Sequence, residues 1–233
     1  KSTILDKTKL VNSVFSKVHK KYDLMNDIMS LGIHRIWKKK LIDWMNPQLN
    51  DNLIDVASGT GDIAKLFSKK INNSNIVSCV EPNEKMYLTG KDNLKNFKNI
   101  TWHKAKAEKL PFNNDSFSFY TISYGIRNVS DISLSLKEAL RVLKPGGRFM
   151  CLEFSKIDNE MINFLYQNYS KTIPIIGKYI VGSSEPYDYL IKSINQFYSQ
   201  NELVNLMKKN GFSNIEYRNL SNGISAIHSG WKI

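Results

Sequence analysis

The run NLIDVASGTGD (52–62) constrains the fold more than any other part of the chain. Its apolar start, NLIDVA, is too brief for a helix, ends in a glycine-rich turn and opens directly into the helical pattern IAKLFSKK (63–70). A strand, a tight turn and a helix in that order form the first half of a βαβ crossover, which predicts a parallel sheet. The pattern then repeats. IVSCV (76–80) stops at Glu81-Pro82 before a helical segment near 83–95. NITWH (99–103), SFYTIS (118–123) and GRFMCLEF (147–154) follow, with the helical DISLSLKEALRVL (131–143) ahead of the last. Strands alternating with helices imply a mostly parallel sheet covered on both faces. Two final strand-like runs, near 213–219 and 223–231, are separated only by Ser221-Asn222-Gly223 and predict an antiparallel hairpin.

The expected architecture is therefore α/β: a Rossmann-like, seven-stranded, mostly parallel sheet closed by a C-terminal antiparallel hairpin. Residues 1–47 read as an N-terminal helical cap, with Leu10, Val14 and Val18 on one stripe and Trp37, Leu41, Ile42 and Met45 on another that stops at Asn46-Pro47. Residues 157–195 interrupt the alternation as a helical insert after the fifth strand. The whole of 1–233 forms a single domain, a size that one substantial core can serve.

Charge invites a different reading. The chain carries a net +12, and ten Lys/Arg face four Asp/Glu within residues 1–45. A basic excess fits nucleic acid or an anionic membrane surface. Yet 28 lysines stand against 5 arginines, beside 25 asparagines, which matches codon bias in an AT-rich genome. Nucleic-acid readers lean on arginine for bidentate contacts. No apolar run reaches the roughly 18 residues of a membrane span. Cys79 and Cys151 sit singly inside strand-like runs, so buried thiols in a reducing compartment are expected, and no ligand spacing for a metal is present. The chain begins at Lys1, so a trimmed N-terminus with a lost targeting segment is also an expectation.

The chemistry lies at strand ends. Gly59 and Gly61 allow a tight turn and close backbone approach to a ligand at a helix N-terminus. Only GxG is present, not the GxGxxG of dinucleotide sites, and no GKS or GKT of a phosphate loop occurs. A nucleotide-like ligand without a pyrophosphate remains. Glu81, some twenty residues on at the end of the second strand, is placed to accept hydrogen bonds from both ribose hydroxyls. Strand, GTGD turn, helix, strand and acid together point to S-adenosylmethionine. KAKAEKLPF (104–112) follows the third strand, where Ala107 leaves room for a flat ring and Leu110, Pro111 and Phe112 could wall it. RVLKPGGRF (141–149) is a turn between a helix and the fifth strand.

With DVASGTGDIA, the acid at 81, AEKLPF and RVLKPGG in hand, the chain resembles a class I methyltransferase. More specifically, KYDLMNDIMSLGIHRIWK (21–38), TISYGIRNV (121–129) and RVLKPGGRFMCLEFS (141–155) resemble the quinone-biosynthesis C-methyltransferases. These include demethylmenaquinone methyltransferase and 2-methoxy-6-polyprenyl-1,4-benzoquinol methylase. The similarity runs from about residue 10 to HSGWKI (228–233). It implies S-adenosylmethionine-dependent C-methylation of a polyprenyl benzoquinol or demethylmenaquinol ring in ubiquinone or menaquinone biosynthesis.

The cofactor site so implied comprises Gly59, Thr60, Gly61 and Asp62 of the turn, Glu81, the pair Lys106 and Ala107, and Ser123. Two residues depart from the family pattern. Relatives commonly carry Asp at 81, and at 106 Asn or Asp able to bind the adenine amino group. Lys106 has only donors, so backbone near Ala107 takes over that role. Methylating a ring carbon requires the quinol to be held in line with the sulfonium methyl and its hydroxyl deprotonated.

Arg127 and Asn128 stand at the carboxyl end of the fourth strand, where Arg127 either stabilises the phenolate or forms a surface ion pair. Candidate bases are Tyr22, Asp27, His34 and Glu153. His34-Arg35 could equally cap and pair within a helical bundle, and Tyr22 and Asn26 would roof the cofactor. The insert, with Met161, Phe164, Leu165, Ile173, Ile175, Ile176, Tyr179, Ile180 and Val181, would supply an apolar groove for the polyprenyl tail, hinged at Gly177 and Gly182. The resemblance also implies a cytoplasmic protein, or one on the matrix side of a mitochondrion, contacting the inner membrane peripherally. It allows a homodimer and contacts with other quinone-biosynthesis proteins. Two alternatives stand beside this reading: an RNA methyltransferase, and a non-catalytic cofactor-binding subunit of a quinone-synthesis complex.

Overall fold

A computed structural model describes residues 32–157 and 185–233, together with Val11, Ser13, Ser16, Asp27, Ser30, Asn168 and Tyr169. The helix α1 (His34–Met45) buries Trp37, Leu41, Ile42 and Met45 along one side. It ends where Asn46 turns left-handed (φ 50°) and donates to the Ile42 carbonyl, with Pro47 unable to continue the helix. The predicted stop is the observed one. β1 (Leu53–Val56) feeds the glycine-rich turn and α2 (Asp62–Lys70). β2 (Val77–Val80), α3 (Glu84–Asn93), β3 (Ile100–His103) and β4 (Phe117–Ser123) follow. A 3-10 turn, Ile126–Asn128, precedes α4 (Ile132–Val142) and β5 (Leu143–Phe154). Then come α5 (Glu185–Gln196), α6 (Gln200–Lys209), β6 (Ser213–Leu220) and β7 (Ser225–Trp231).

The seven strands form one sheet in the order β3-β2-β1-β4-β5-β7-β6. The first five pair in parallel, and β7 runs antiparallel to both β5 and β6. The predicted hairpin is present, with its second strand inserted beside β5 and its first left at the edge. Three successive left-handed residues, Ser221 (φ 48°), Asn222 (φ 56°) and Gly223 (φ 91°), reverse the chain between them. The helix before β5 ends at Val142, ahead of Pro145. Strand pairing begins at Leu143 and is interrupted until Arg148 by an exposed Lys144-Pro145-Gly146 excursion, with Gly146 at φ 77°.

Both faces of the sheet are covered. One core packs Trp37, Leu41, Phe67, Phe119, Leu152 and Tyr187; the other packs Ile54, Tyr120, Ile122, Leu136, Phe149 and Met207. Central strands buried on both faces read as continuous apolar runs, which is why NLIDVA and IVSCV show no alternation. Cys79 lies in the first core and Cys151 in the second, both free, and burial pushes both thiols up. Of the expected insert, the described part includes α5, whose Tyr187, Leu190 and Ile194 anchor it to the first core. The apolar residues assigned to the tail groove, with Gly177 and Gly182, lie outside the described residues. Among the described residues no helix is long and apolar enough to cross a membrane.

Candidate active site

From β1 the chain moves outward through β2 to β3, then crosses back to β4 on the other side of β1. Connections diverge at the β1–β4 junction, and the carboxyl ends there leave a crevice. A cleft of about 780 Å³, counting its mouth, lies over this junction. Two non-glycine residues in its wall have left-handed backbones: Ala57 (φ 53°) after β1 and Tyr124 (φ 55°) after β4. Each such residue costs about 1–2 kcal/mol. Gly125 fits between them because a Cβ there would come within 2.5 Å of the Ala57 Cβ.

On one side of the cleft the polar groups are set by backbone. Glu81, just past β2, is buried; one carboxylate oxygen accepts from the Gly59 N–H at 3.0 Å and the other from the Asn83 N–H at 2.9 Å. Each oxygen therefore keeps a lone pair for a further donor, such as a ribose hydroxyl. Burial raises this carboxyl to about 7, against the pull of its two N–H donors and with a push from the Asp55 charge. Asp55, in β1, is also raised to about 7 by burial and accepts from the Thr121 hydroxyl at 2.7 Å. Lys106, Ala107 and Glu108 line the adjoining wall, with Lys106 exposed, Ala107 buried and Glu108 accepting from the Ser130 N–H at 2.8 Å. A buried acceptor with spare lone pairs in a largely apolar cleft fits a nucleoside with a diol.

The turn below is held just as closely. Gly59 and Gly61 have φ of 57° and 89°. A Cβ on Gly90 of α3 would lie 2.7 Å from the Gly59 carbonyl oxygen, so α3 presses directly on the turn. Lys38 of α1 donates to Asp62 at 2.6 Å, tying the cap to the first residue of α2. Of the turn residues, Gly59 lines the cleft, and Thr60, Gly61 and Asp62 are not among its lining residues.

On the other side the polar groups are set by side chains from distant parts of the chain. Arg127 is buried and its Nη1 donates to Glu153 at 2.5 Å and to the Tyr124 carbonyl at 2.8 Å, while Nε donates to the Ser193 hydroxyl at 3.3 Å. Its guanidinium also sits 5.6 Å from the Phe154 ring centroid. Glu153 is equally buried; burial pushes its carboxyl up, and Arg127 and the Phe154 N–H pull it part of the way back. Arg127 thus forms a buried ion pair, not the surface one considered from sequence. Asn128 lines the cleft and accepts from the Tyr189 hydroxyl at 2.8 Å. Ser123 ends β4, and its buried hydroxyl has no hydrogen-bond partner among the described residues; Tyr124 and Gly125, rather than Ser123, line the cleft.

His34 lies apart from the cleft lining. Its Nε2 meets Asp27 at 2.8 Å, and Asp27 also takes two hydrogen bonds from Arg35. Burial and the Lys38 charge lower the imidazole below its ordinary value, while hydrogen bonding from Arg35 lowers Asp27. Tyr22 and Asn26 lie outside the described residues. Sequence reasoning overlooked Ala57, Tyr124, Tyr189 and Ser193. Only the last two had any signal, as hydroxyl side chains four apart in a helical pattern.

The sheet order, the acid-tipped β2 beside a glycine turn and the cleft at the switch point define a class I, S-adenosylmethionine-dependent methyltransferase. Solved structures share this fold: a methyltransferase from Thermotoga maritima matches with a TM-score of 0.68 at 22% identity, covering 95% of this chain and 99% of that one. Phosphoethanolamine N-methyltransferase 2 of Haemonchus contortus, solved with S-adenosyl-L-methionine, matches 84% of this chain and 52% of its own, at 13% identity with a TM-score of 0.63. The family model of the ubiE/COQ5 methyltransferases matches residues 2–232, and the chain belongs to that family. It is 51% identical to the ubiquinone/menaquinone biosynthesis C-methyltransferase UbiE of Rickettsia bellii, over 98% of this chain and 94% of that protein. Identity to the UbiE of Rickettsia prowazekii is 49%, over 96% and 93%.

Proposed function

We propose that this protein methylates a ring carbon of a polyprenyl benzoquinol, a demethylmenaquinol or both, as a step of ubiquinone or menaquinone biosynthesis. The observation that carries the reading is near-full-length identity to relatives bearing that name. Family membership also displaces the RNA-methylating alternative that charge had raised.

When bound, S-adenosylmethionine supplies a methyl group on a sulfonium. Glu81 accepts from the ribose hydroxyls, the Gly59–Asp62 turn supports them from below, and the wall of Lys106 and Ala107 holds the adenine through its backbone. Across the cleft, the quinol becomes a carbon nucleophile when a ring hydroxyl loses its proton and electron density moves to the neighbouring carbon. The chain must then stabilise a phenolate. Asn128, which lines the cleft, presents a donor to that oxygen, and the buried guanidinium of Arg127 next to it in the chain contributes positive charge. Arginine has only donors, so Arg127 acts on charge and not as a base. His34, tied to Asp27, is assigned to holding the cap, and Tyr22 to roofing the site. The insert receives the polyprenyl tail, and the basic N-terminal region contacts the membrane in which that tail dissolves.

Cells lacking this protein are expected to accumulate the unmethylated quinone, and purified protein with cofactor to methylate a short-tailed quinol under reducing conditions. Intact cofactor binding without methylation would overturn the reading in favour of a non-catalytic subunit.

A further inference from the structure

Asn128 can serve a phenolate only in one of its two orientations. Its carboxamide carries a donor end and an acceptor end, and an acceptor facing a developing negative oxygen would repel it. Two contacts fix which end goes where. The Tyr124 carbonyl lies 3.5 Å from Asn128 Nδ2, and a carbonyl can only accept, so the –NH2 end must be on that side. Oδ1 then faces α5, where the Tyr189 hydroxyl donates to it at 2.8 Å. The oxygen is occupied, and among the described residues one Nδ2–H is left uncommitted in a residue that lines the cleft.

Arg127 is treated in the same way by the same helix. Ser193 lies one turn beyond Tyr189 and accepts from Arg127 Nε, while its own proton goes to the Leu190 carbonyl. Arg127 Nη1 is taken by Glu153 and the Tyr124 carbonyl. Residues i and i+4 share one helix face, so α5 grips both members of the Arg127–Asn128 turn from one side. It does so from a rigid base, with Tyr187 fully buried and Leu190 and Ile194 packed in the core.

We infer that Tyr189, supported by Ser193, is a positioning residue of the reaction: it holds the Asn128 carboxamide so that the turn offers donors to the substrate oxygen. The inference rests on the quinol reading above. It makes α5, at the end of the insert, part of the active site and not merely a cover.

A four-protein cycle tests it: wild type, Tyr189→Phe, Asn128→Ala and the double variant. Tyr189→Phe removes one oxygen and keeps the ring, and the Kd for S-adenosylmethionine, expected within about twofold of wild type, checks that the cleft is intact. Loss of one oriented hydrogen bond to a charged group predicts a fall in kcat of about tenfold with short-tailed quinol. In the Asn128→Ala background the same change should have no further effect, since Tyr189 acts through Asn128. A second readout needs no turnover: the apparent pKa of a nitrophenol bound to the S-adenosylhomocysteine-loaded protein. It should rise in Tyr189→Phe and in Asn128→Ala, and no further in the double variant. An unchanged kcat and nitrophenol pKa in Tyr189→Phe, or effects that multiply in full with those of Asn128→Ala, would overturn the inference. Wild-type protein that fails to methylate the quinol would count against the functional reading alone, and the nitrophenol titration would then decide the role of Tyr189.

Discussion

The two halves of the cleft are built in opposite ways. Toward β1–β3, Glu81 is held by two backbone N–H groups, from Gly59, 22 residues away, and from Asn83, two residues away. Toward β4 and β5, Arg127 is held by Glu153, 26 residues away, and by Ser193, 66 residues away, while Asn128 is held by Tyr189, 61 residues away. Backbone donors are fixed by local turn geometry and tolerate changes of side chain around them. Side-chain networks are fixed only when every member is present. The cofactor half should therefore be robust to most substitutions and the substrate half brittle.

The sharpest break comes at the ion pair. Arg127 and Glu153 side chains are each 2% exposed, so removing either strands a buried charge. Glu153→Ala or Arg127→Ala is expected to cost about 3–5 kcal/mol in denaturant unfolding. Arg127→Ala alone therefore makes a poor probe of catalysis. Replacing both, as Arg127→Met with Glu153→Leu, should recover most of that stability.

Next in size is Gly90→Ala, where the new Cβ would meet the Trp102 ring at 2.2 Å and the Gly59 carbonyl at 2.7 Å. Overpacking of this kind costs about 1–3 kcal/mol, and here it displaces the glycine turn, so cofactor affinity should fall with stability. A loss of stability without a loss of affinity would show that the turn does not hold the cofactor.

Glu81→Gln keeps shape and removes charge. Calorimetry should show affinity for S-adenosylmethionine weakened by about 10–100-fold, the value of one or two hydrogen bonds to a charged group. Because burial raises the carboxyl to about 7, wild-type affinity should strengthen as pH rises through 7 and Glu81 ionises, and the substitution should flatten that slope. For folding the sign is opposite. A raised carboxyl binds its proton more tightly in the native state, so its contribution to stability is full below about 4.5 and is lost as pH climbs toward 7.

The smallest effect serves as a control far from both halves. Ser199 and Glu202 form a reciprocal capping box on α6. Ser199→Ala should cost about 1 kcal/mol in thermal unfolding and leave both affinity and turnover alone.

The same contrast explains what the chain disclosed before folding. The GTGD turn, the acid at 81 and the strand–helix alternation are local, with period and spacing visible in the residues themselves. Asn46-Pro47 and Ser221-Asn222-Gly223 announced a helix stop and a hairpin through backbone preferences. The insertion of β7 beside β5 and the Lys144–Gly146 excursion within β5 are tertiary outcomes that local pattern does not encode. The left-handed Ala57 and Tyr124 run against residue preference and are held by the surrounding sheet. Arg127 was recognisable as a polar residue in an apolar run, but its partners at 153 and 193 were not, because no spacing rule links strand ends to a helix that far along the chain.

The division of labour is tested most directly in the doubly substituted Arg127→Met, Glu153→Leu protein, by measuring cofactor affinity and quinol methylation on the same sample. That protein is expected to fold, to keep a Kd for S-adenosylmethionine within about threefold of wild type because separate sites act independently, and to lose methyl transfer. Methylation near the wild-type rate, or cofactor affinity lost together with methylation, would contradict that division of labour.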